Sequence, residues 1–296
     1  MAVTTQPIES TKQRSRTWQT LRASTWLEWQ TRGNWTNPWL FGIFLFGRPI
    51  SAALVLVFMY KVVGASSANS PYLLGYLIIG SASWAFVEQI LAGLPQAVLA
   101  DREEYAMLKY VYIAPQQFVI FLLGRSIPRM LFAALSFVVT LGFGIVFLNV
   151  PVNVQLINYG LLAVALLFGF AAIAALSVAF AGLALMLKRG AYQMPQAVTG
   201  SLYLITGAIF PVVVLPLWLR DISLAVPLTY WLELMRRALM GDTVDTRFNF
   251  PVENTWGVLA LLVLTTIIYV FLALVAFRFC DNIARERGQI DRTTGN

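Results

Sequence analysis

Long uncharged runs separated by short charged clusters organise this chain. Between Arg129 and Lys188 lie 58 consecutive residues without Asp, Glu, Lys or Arg; Val62–Val87, Gly190–Leu219 and Asn254–Phe277 give further runs of 26, 30 and 24. A bilayer-crossing helix needs about 20 predominantly apolar residues. The pattern predicts six spans, at about Trp39–Val63, Tyr72–Ala100, Phe118–Leu148, Tyr159–Leu187, Tyr192–Leu215 and Trp256–Phe279. The runs are continuous rather than alternating, which excludes a transmembrane β-barrel.

Three further stretches have a helical pattern but do not cross. In the N-terminal arm, Trp18, Leu21, Trp26 and Trp29 fall roughly on one face, with Arg16, Arg22, Glu28 and Arg32 nearby. Tryptophan with arginine suits the headgroup layer, so this reads as an interfacial helix, its face interrupted by Arg22. Asp101–Tyr112 reads as a short helix. Asp101 and Glu104 have the spacing of a capping box, Tyr105, Leu108 and Tyr112 share a face, and Pro115 ends the segment. Such a helix either packs on its own chain or presents a face to a partner. Pro216 and Pro227 divide the segment before span six. From Leu228 an apolar stripe runs through Trp231, Leu232, Met235 and Leu239, with Glu233 and Arg237 at i, i+4 on the other side. Each piece is too short to span, and a helix pair dipping into the outer leaflet fits its apolar character.

Composition sharpens this picture. The 296 residues are 58% hydrophobic and only 12% charged, against roughly 25% in soluble domains. There is no His and one Cys, Cys280, so His–metal sites, Ser–His or Cys–His dyads and internal disulfides are excluded. The net charge of +7 reads as a cytoplasmic excess of Lys and Arg rather than a nucleic-acid surface. Five basic residues lie in the arm, and Arg102, Lys109, Lys188 and Arg189 lie in loops on the same side. The tail adds Arg278, Arg285, Arg287 and Arg292. Both termini are therefore expected in the cytoplasm. The division is residues 1–38, an arm with the interfacial helix; 39–279, the six-helix domain; and 280–296, a cytoplasmic tail.

Charges within spans carry a functional expectation, because each costs about 2.5–3.5 kcal/mol to insert. Glu88 lies thirteen residues before Asp101, roughly 20 Å along a helix at 1.5 Å per residue. It reads either as a substrate contact or gating pair in the pathway, or as a structural pair with Arg48 or Arg129, or as a protonated carboxyl bonded to backbone. Arg48-Pro49 suits a snorkelling or kink role and Lys61 an interfacial anchor. Arg125 and Arg129 lie one turn apart in the inner half of span three, and Arg125 is expected to face the headgroups or the loop helix rather than substrate. Trp84, Phe86 and Tyr60 are the candidate rings near the pathway. The small residues from Ala171 to Gly182 suit close helix packing. No G-x-x-x-x-G-K-[ST] phosphate loop occurs, so any ATP hydrolysis must take place on another polypeptide.

Over Trp18–Cys280 the pattern resembles the membrane subunit of ABC-2 type exporters. The resemblance rests on the interfacial helix, on "LADREEYAMLKYVYIAPQQFVIFLLGR" joining spans two and three, and on "TGAIFPVVVLPLWLRDISLAVPLTYWLELMRRALMG" before span six. It implies an all-α membrane protein with six transmembrane helices, a cytoplasmic coupling helix after span two and short external re-entrant helices between spans five and six. It also implies a permease that works as a homodimer, or with a similar chain, on two ATP-binding cassette subunits. ATP and Mg would be bound there and no cofactor here, and no nucleic acid would be involved. The expected coupling residues are Asp101, Arg102, Glu103, Glu104, Tyr105, Met107 and Leu108; the external gate would involve Phe210, Pro211, Pro227 and Tyr230. The implied location is the cytoplasmic (inner) membrane. The implied substrate is an amphipathic drug-like or lipid-like molecule, or alternatively a lipid-linked polysaccharide. A proton-coupled secondary transporter using Glu88 is the competing class.

Overall fold

In a computed structural model, the described residues are 8–33, 38–64, 71–114, 118–148, 157–187, 192–241 and 250–286. All regular elements among them are helical. The arm forms α1 (Ile8–Gly33). It is followed by α2 (Pro38–Gly64), α3 (Pro71–Val87), a π-turn (Glu88–Ala92), α4 (Gly93–Glu103) and α5 (Leu108–Ile113). Next come α6 (Phe118–Leu148), α7 (Tyr159–Met186), α8 (Met194–Ile205), a 3₁₀ turn (Val212–Val214), α9 (Leu217–Ala225), α10 (Pro227–Met240) and α11 (Thr255–Glu286). Four stretches of the described residues are long and apolar enough to cross a membrane: Leu73–Glu103, Phe118–Phe147, Tyr159–Met186 and Thr255–Glu286. The side chains of Arg48, Pro49, Tyr60 and Lys61, the turn at Lys188–Gly190, Asp242, Asp245 and Arg247, and Arg287 and Arg292 lie outside the described residues.

At the centre, α7 packs against α11 along its length, against α4 at one end and α10 at the other. Small side chains make this close approach possible: Ala165, Ala172, Ala181 and Ala184 are fully buried. At Gly169, a Cβ would collide with the indole of Trp231, itself fully buried. The same core takes in Ile78, Ile79, Ala82 and Phe86 of α3, which also packs on α2 and α6, and α1 lies along α6.

The fifth run is not one helix. It was expected to continue from Tyr192 to Leu215, but α8 ends at Ile205. Gly207 follows with φ of +80°, a left-handed conformation that releases the helix, and Pro211 cannot donate to continue it. The freed carbonyls are satisfied from other helices. Gly207 O accepts from Tyr76 Oη at 2.9 Å and from Arg236 Nη2 at 2.7 Å, and Ala208 O accepts from Arg236 at 3.2 Å. Backbone groups buried away from water need such partners.

The predicted stripe on α10 is realised: Leu228, Trp231, Leu232, Met235 and Leu239 are all buried. Pro227 starts that helix at N1, and Arg237 Nε meets Glu233 Oε1 at 2.9 Å. By contrast, α9 exposes Leu217, Trp218 and Ile222. The expected capping box at Asp101 does not form. Asp101 sits inside α4, which runs on to Glu103, and the loop helix is only α5, starting at Leu108. Its carboxylate is taken by Arg125, a stronger demand than an N-cap could place on it.

Candidate functional site

Two groups of polar residues stand out at the end of the bundle that carries α1, α5 and the end of α4. The first is a buried ionic cluster. Glu28 projects from α1 toward α6, where Arg125 Nε meets its Oε2 at 2.7 Å and Arg129 Nη2 meets its Oε1 at 2.5 Å. Arg32, one turn along α1, reaches the same Oε1 at 3.0 Å. Arg125 also pairs Asp101, and Arg32 also hydrogen-bonds the side chain of Gln89 in the π-turn. Glu28 and Asp101 are completely buried. Burial alone raises the Glu28 carboxyl, yet Arg129, Arg125 and Arg32 together hold it below its ordinary value of 4.5. Missing side chains make room. A Cβ on Gly124 would strike Ser24, and one on Gly93 would strike the guanidinium of Arg129.

Thus α1 is amphipathic in an inverted sense. Its polar residues Ser24 and Glu28 face the protein, while Trp18, Trp26 and Trp29 remain substantially exposed. Leu21, Arg22, Trp26 and Ile127 border a cleft of about 870 Å³ on that outer side. The periodicity of the arm pointed to the tryptophans and placed Glu28 merely nearby. The available signal was two i, i+4 charge pairs, Glu28/Arg32 and Arg125/Arg129, with the second inside an apolar span that demands buried partners. Arg129, a sequence candidate to pair Glu88, pairs Glu28 in the structure.

The second group is the turn between α4 and α5. It divides the seven residues expected to couple to a partner. Asp101, Arg102 and Leu108 are buried roots. Arg102 donates to Leu185 O at 3.2 Å and Leu187 O at 3.3 Å, at the end of α7, and pairs Glu103 at 2.8 Å. Glu104 and Tyr105 are exposed and Met107 is half-buried, so these form the presented knuckle. Ala106, at its tip, holds φ of +48°. Behind it, Tyr112 donates to Asp281 at 2.7 Å and stacks on Phe118, which anchors α5 to α6 and α11.

The pathway candidates also separate. Glu88 is half-buried and opens the π-turn. Trp84 and Phe86 are almost fully buried inside the protomer, Trp84 against Tyr203, and Phe86 among Phe137, Phe170 and Trp231. Neither ring lies on an open face of this chain. Tyr60 lies outside the described side chains. Among the external candidates, Pro211 and Pro227 are buried, Tyr230 is buried with its hydroxyl on Leu224 O at 2.7 Å, and Phe210 is exposed at the helix break.

The described residues contain no cluster of three or more His, Cys, Asp or Glu that could hold a metal ion. A comparison with curated proteins finds no match. The model of the ABC-2 type transporter family matches residues 19–240, a stretch that starts in α1, includes both conspicuous loops and ends with α10. With that match over most of its length, and with several apolar helices of membrane-crossing length, the chain belongs to the ABC-2 type transporter family as a multi-pass membrane permease component.

Proposed function

We propose that this chain forms the translocation pathway of an ATP-driven exporter for amphipathic drug-like or lipid-like molecules, and that ATP is hydrolysed on two separate cassette subunits. The observation that carries this reading is the knuckle between α4 and α5. Glu104 and Tyr105 project from a turn whose neighbours Asp101, Arg102 and Leu108 are locked inside the chain. A lever needs an exposed contact on a rigid root, and this turn has both. We place it, with both termini, on the cytoplasmic side of the inner membrane, as the excess of Lys and Arg supports. In this reading α2 and the broken fifth helix supply the remaining two spans of six.

A second copy of the chain completes the pathway. On α8 the exposed face carries Gln196, Ala197, Gly200 and Ser201. Polar and small residues on a membrane helix seek another helix or an aqueous path rather than lipid. A homodimer meeting there would bring two such faces together, next to the π-turn that Glu88 opens.

The test is to tag the chain, extract it in mild detergent and identify what co-purifies. A stoichiometric ATP-binding protein with vanadate-sensitive hydrolysis is expected. Its stimulation by amphipathic compounds, rather than by lipid-linked glycans, would set the substrate class. Recovery of the chain alone, in several detergents and with nucleotide present, would overturn the reading. A pH-gradient-dependent transport abolished by Glu88→Gln would then favour the proton-coupled alternative.

A further inference from the structure

The helix that runs from α3 into α4 is interrupted by the π-turn at Glu88–Ala92. A π-turn inserts one extra residue, so closing it into α-helix would rotate one side relative to the other by about 100°. Two of its carbonyls are held from outside. Ser177 Oγ on α7 donates to Ile90 O at 2.7 Å, and Arg129 Nη1 on α6 donates to Gln89 O at 3.3 Å. The side chain of Gln89 is held by Arg32 of α1. Arg129 and Arg32 share one counter-ion, Glu28, and Glu28 also binds Arg125, which holds Asp101 at the far end of α4. The ties from α1 and α6 to both ends of α4 thus meet at a single carboxylate on the arm helix, beside the separate bonds of Ser177 and Arg102 that join these ends to α7. Without it, three guanidiniums would face one another with Asp101 as their remaining carboxylate in the cluster.

We propose that Glu28 is a positioning residue for transport: by holding Arg129 and Arg32 on Gln89 and Arg125 on Asp101, it keeps the π-turn open beneath Glu88 for as long as α1 stays docked. Undocking of α1 releases the turn and lets α3, with Glu88, turn relative to α4. Motion at the Glu104–Tyr105 knuckle, three to four residues from Asp101, is thereby delivered to the level of Glu88. The link is a property of this chain alone; only its use in transport rests on the exporter reading.

Hydrogen exchange on the full chain in lipid nanodiscs tests the link. Glu28→Gln should raise exchange at least tenfold both in the α1 peptide around Leu21–Arg32 and in the peptide spanning Glu88–Gly93, with α11 unchanged. Glu28→Asp should restore much of the protection. Loosening of α1 with Glu88–Gly93 protected as in the parent would overturn the proposal and leave Glu28 as a simple anchor. Should Glu28→Gln fail to fold, Gly93→Ala probes the same link from the other side, since its methyl displaces the guanidinium of Arg129 on α6 and meets Arg32 of α1 only at ordinary contact distance. Faster exchange in α1 is then expected, and an unchanged α1 would overturn the proposal. If an ATPase complex is isolated, Glu28→Gln should leave basal hydrolysis standing and cut transport at least tenfold; equal losses of both would overturn the positioning role. The exchange result stands whether or not an ATPase partner is found, which separates failure of the link from failure of the exporter reading.

Discussion

At the scale of single residues, two buried arginine sites carry the clearest energetic demands. Removing one partner of a buried ion pair leaves an uncompensated charge and costs about 3–5 kcal/mol. Glu28→Ala should therefore lower the thermal stability of the detergent-solubilised chain by about that amount, far more than Glu104→Ala on the exposed knuckle. Glu28 also sets a pH response. Because the folded structure depresses its carboxyl, its contribution is complete above the ordinary value of 4.5 and is lost as pH falls through the lowered folded value. Arg32, Arg125, Arg129 and Asp101 face the same carboxylate. The parent should lose stability on acidification below that range more steeply than Glu28→Gln, and parallel acid profiles would contradict the assignment. Arg236 is neutralised differently. It sits 3.5 Å over the ring of Tyr76 and donates to carbonyls just past the end of α8, where the helix dipole is negative. Arg236→Met should cost about 1–3 kcal/mol through unpaired carbonyls, measurable as a lowered melting temperature in detergent.

At the scale of elements, glycines decide where helices meet. The α7–α10 contact depends on the absence of a side chain at Gly169, into which Trp231 fits, and α3 approaches the helix break only because Gly80 lies against Ala208 O. Gly169→Ala and Gly80→Ala should each destabilise by about 1–3 kcal/mol, the usual range for overpacking, whereas Gly142→Ala on open surface should not. Thermal unfolding of the three variants side by side would check this. These contacts were not legible from the chain. A glycine in an apolar helix reads only as a small residue until the neighbour occupying its space is known. The helices themselves were legible, because α7 lies wholly within a long uncharged run and most of α6 and α11 do too. The break after Ile205 was not, since residues 206–215 are as apolar as the helix before them and the carbonyl partners come from α3 and α10.

At the scale of the whole molecule, the reading we propose makes the knuckle between α4 and α5 the contact for an ATP-binding partner. Glu104→Lys with Tyr105→Ala should reduce recovery of the ATP-binding subunit at least tenfold, while the chain alone elutes and melts like the parent. Normal recovery would count against coupling at this turn. Reversing Glu103 as well is less informative, because Glu103 is engaged with Arg102.

Sequence alone determined the membrane class, the apolar helices, the arm helix, the two unusual loops and the absence of a phosphate loop, because insertion into hydrocarbon and the helical period act on every residue locally. Only the tertiary structure decided which charges are buried and with whom. From the sequence, Glu28 is only a charge near the tryptophans of the arm, and Asp101 reads as a cap. What made them the joined roots of a buried cluster is the approach of α6 across α1 and α4, which brings Arg125 and Arg129, about a hundred residues away along the chain, into contact with Glu28. Electrostatic pairing of that kind depends on distance in space, which spacing along one helix does not encode.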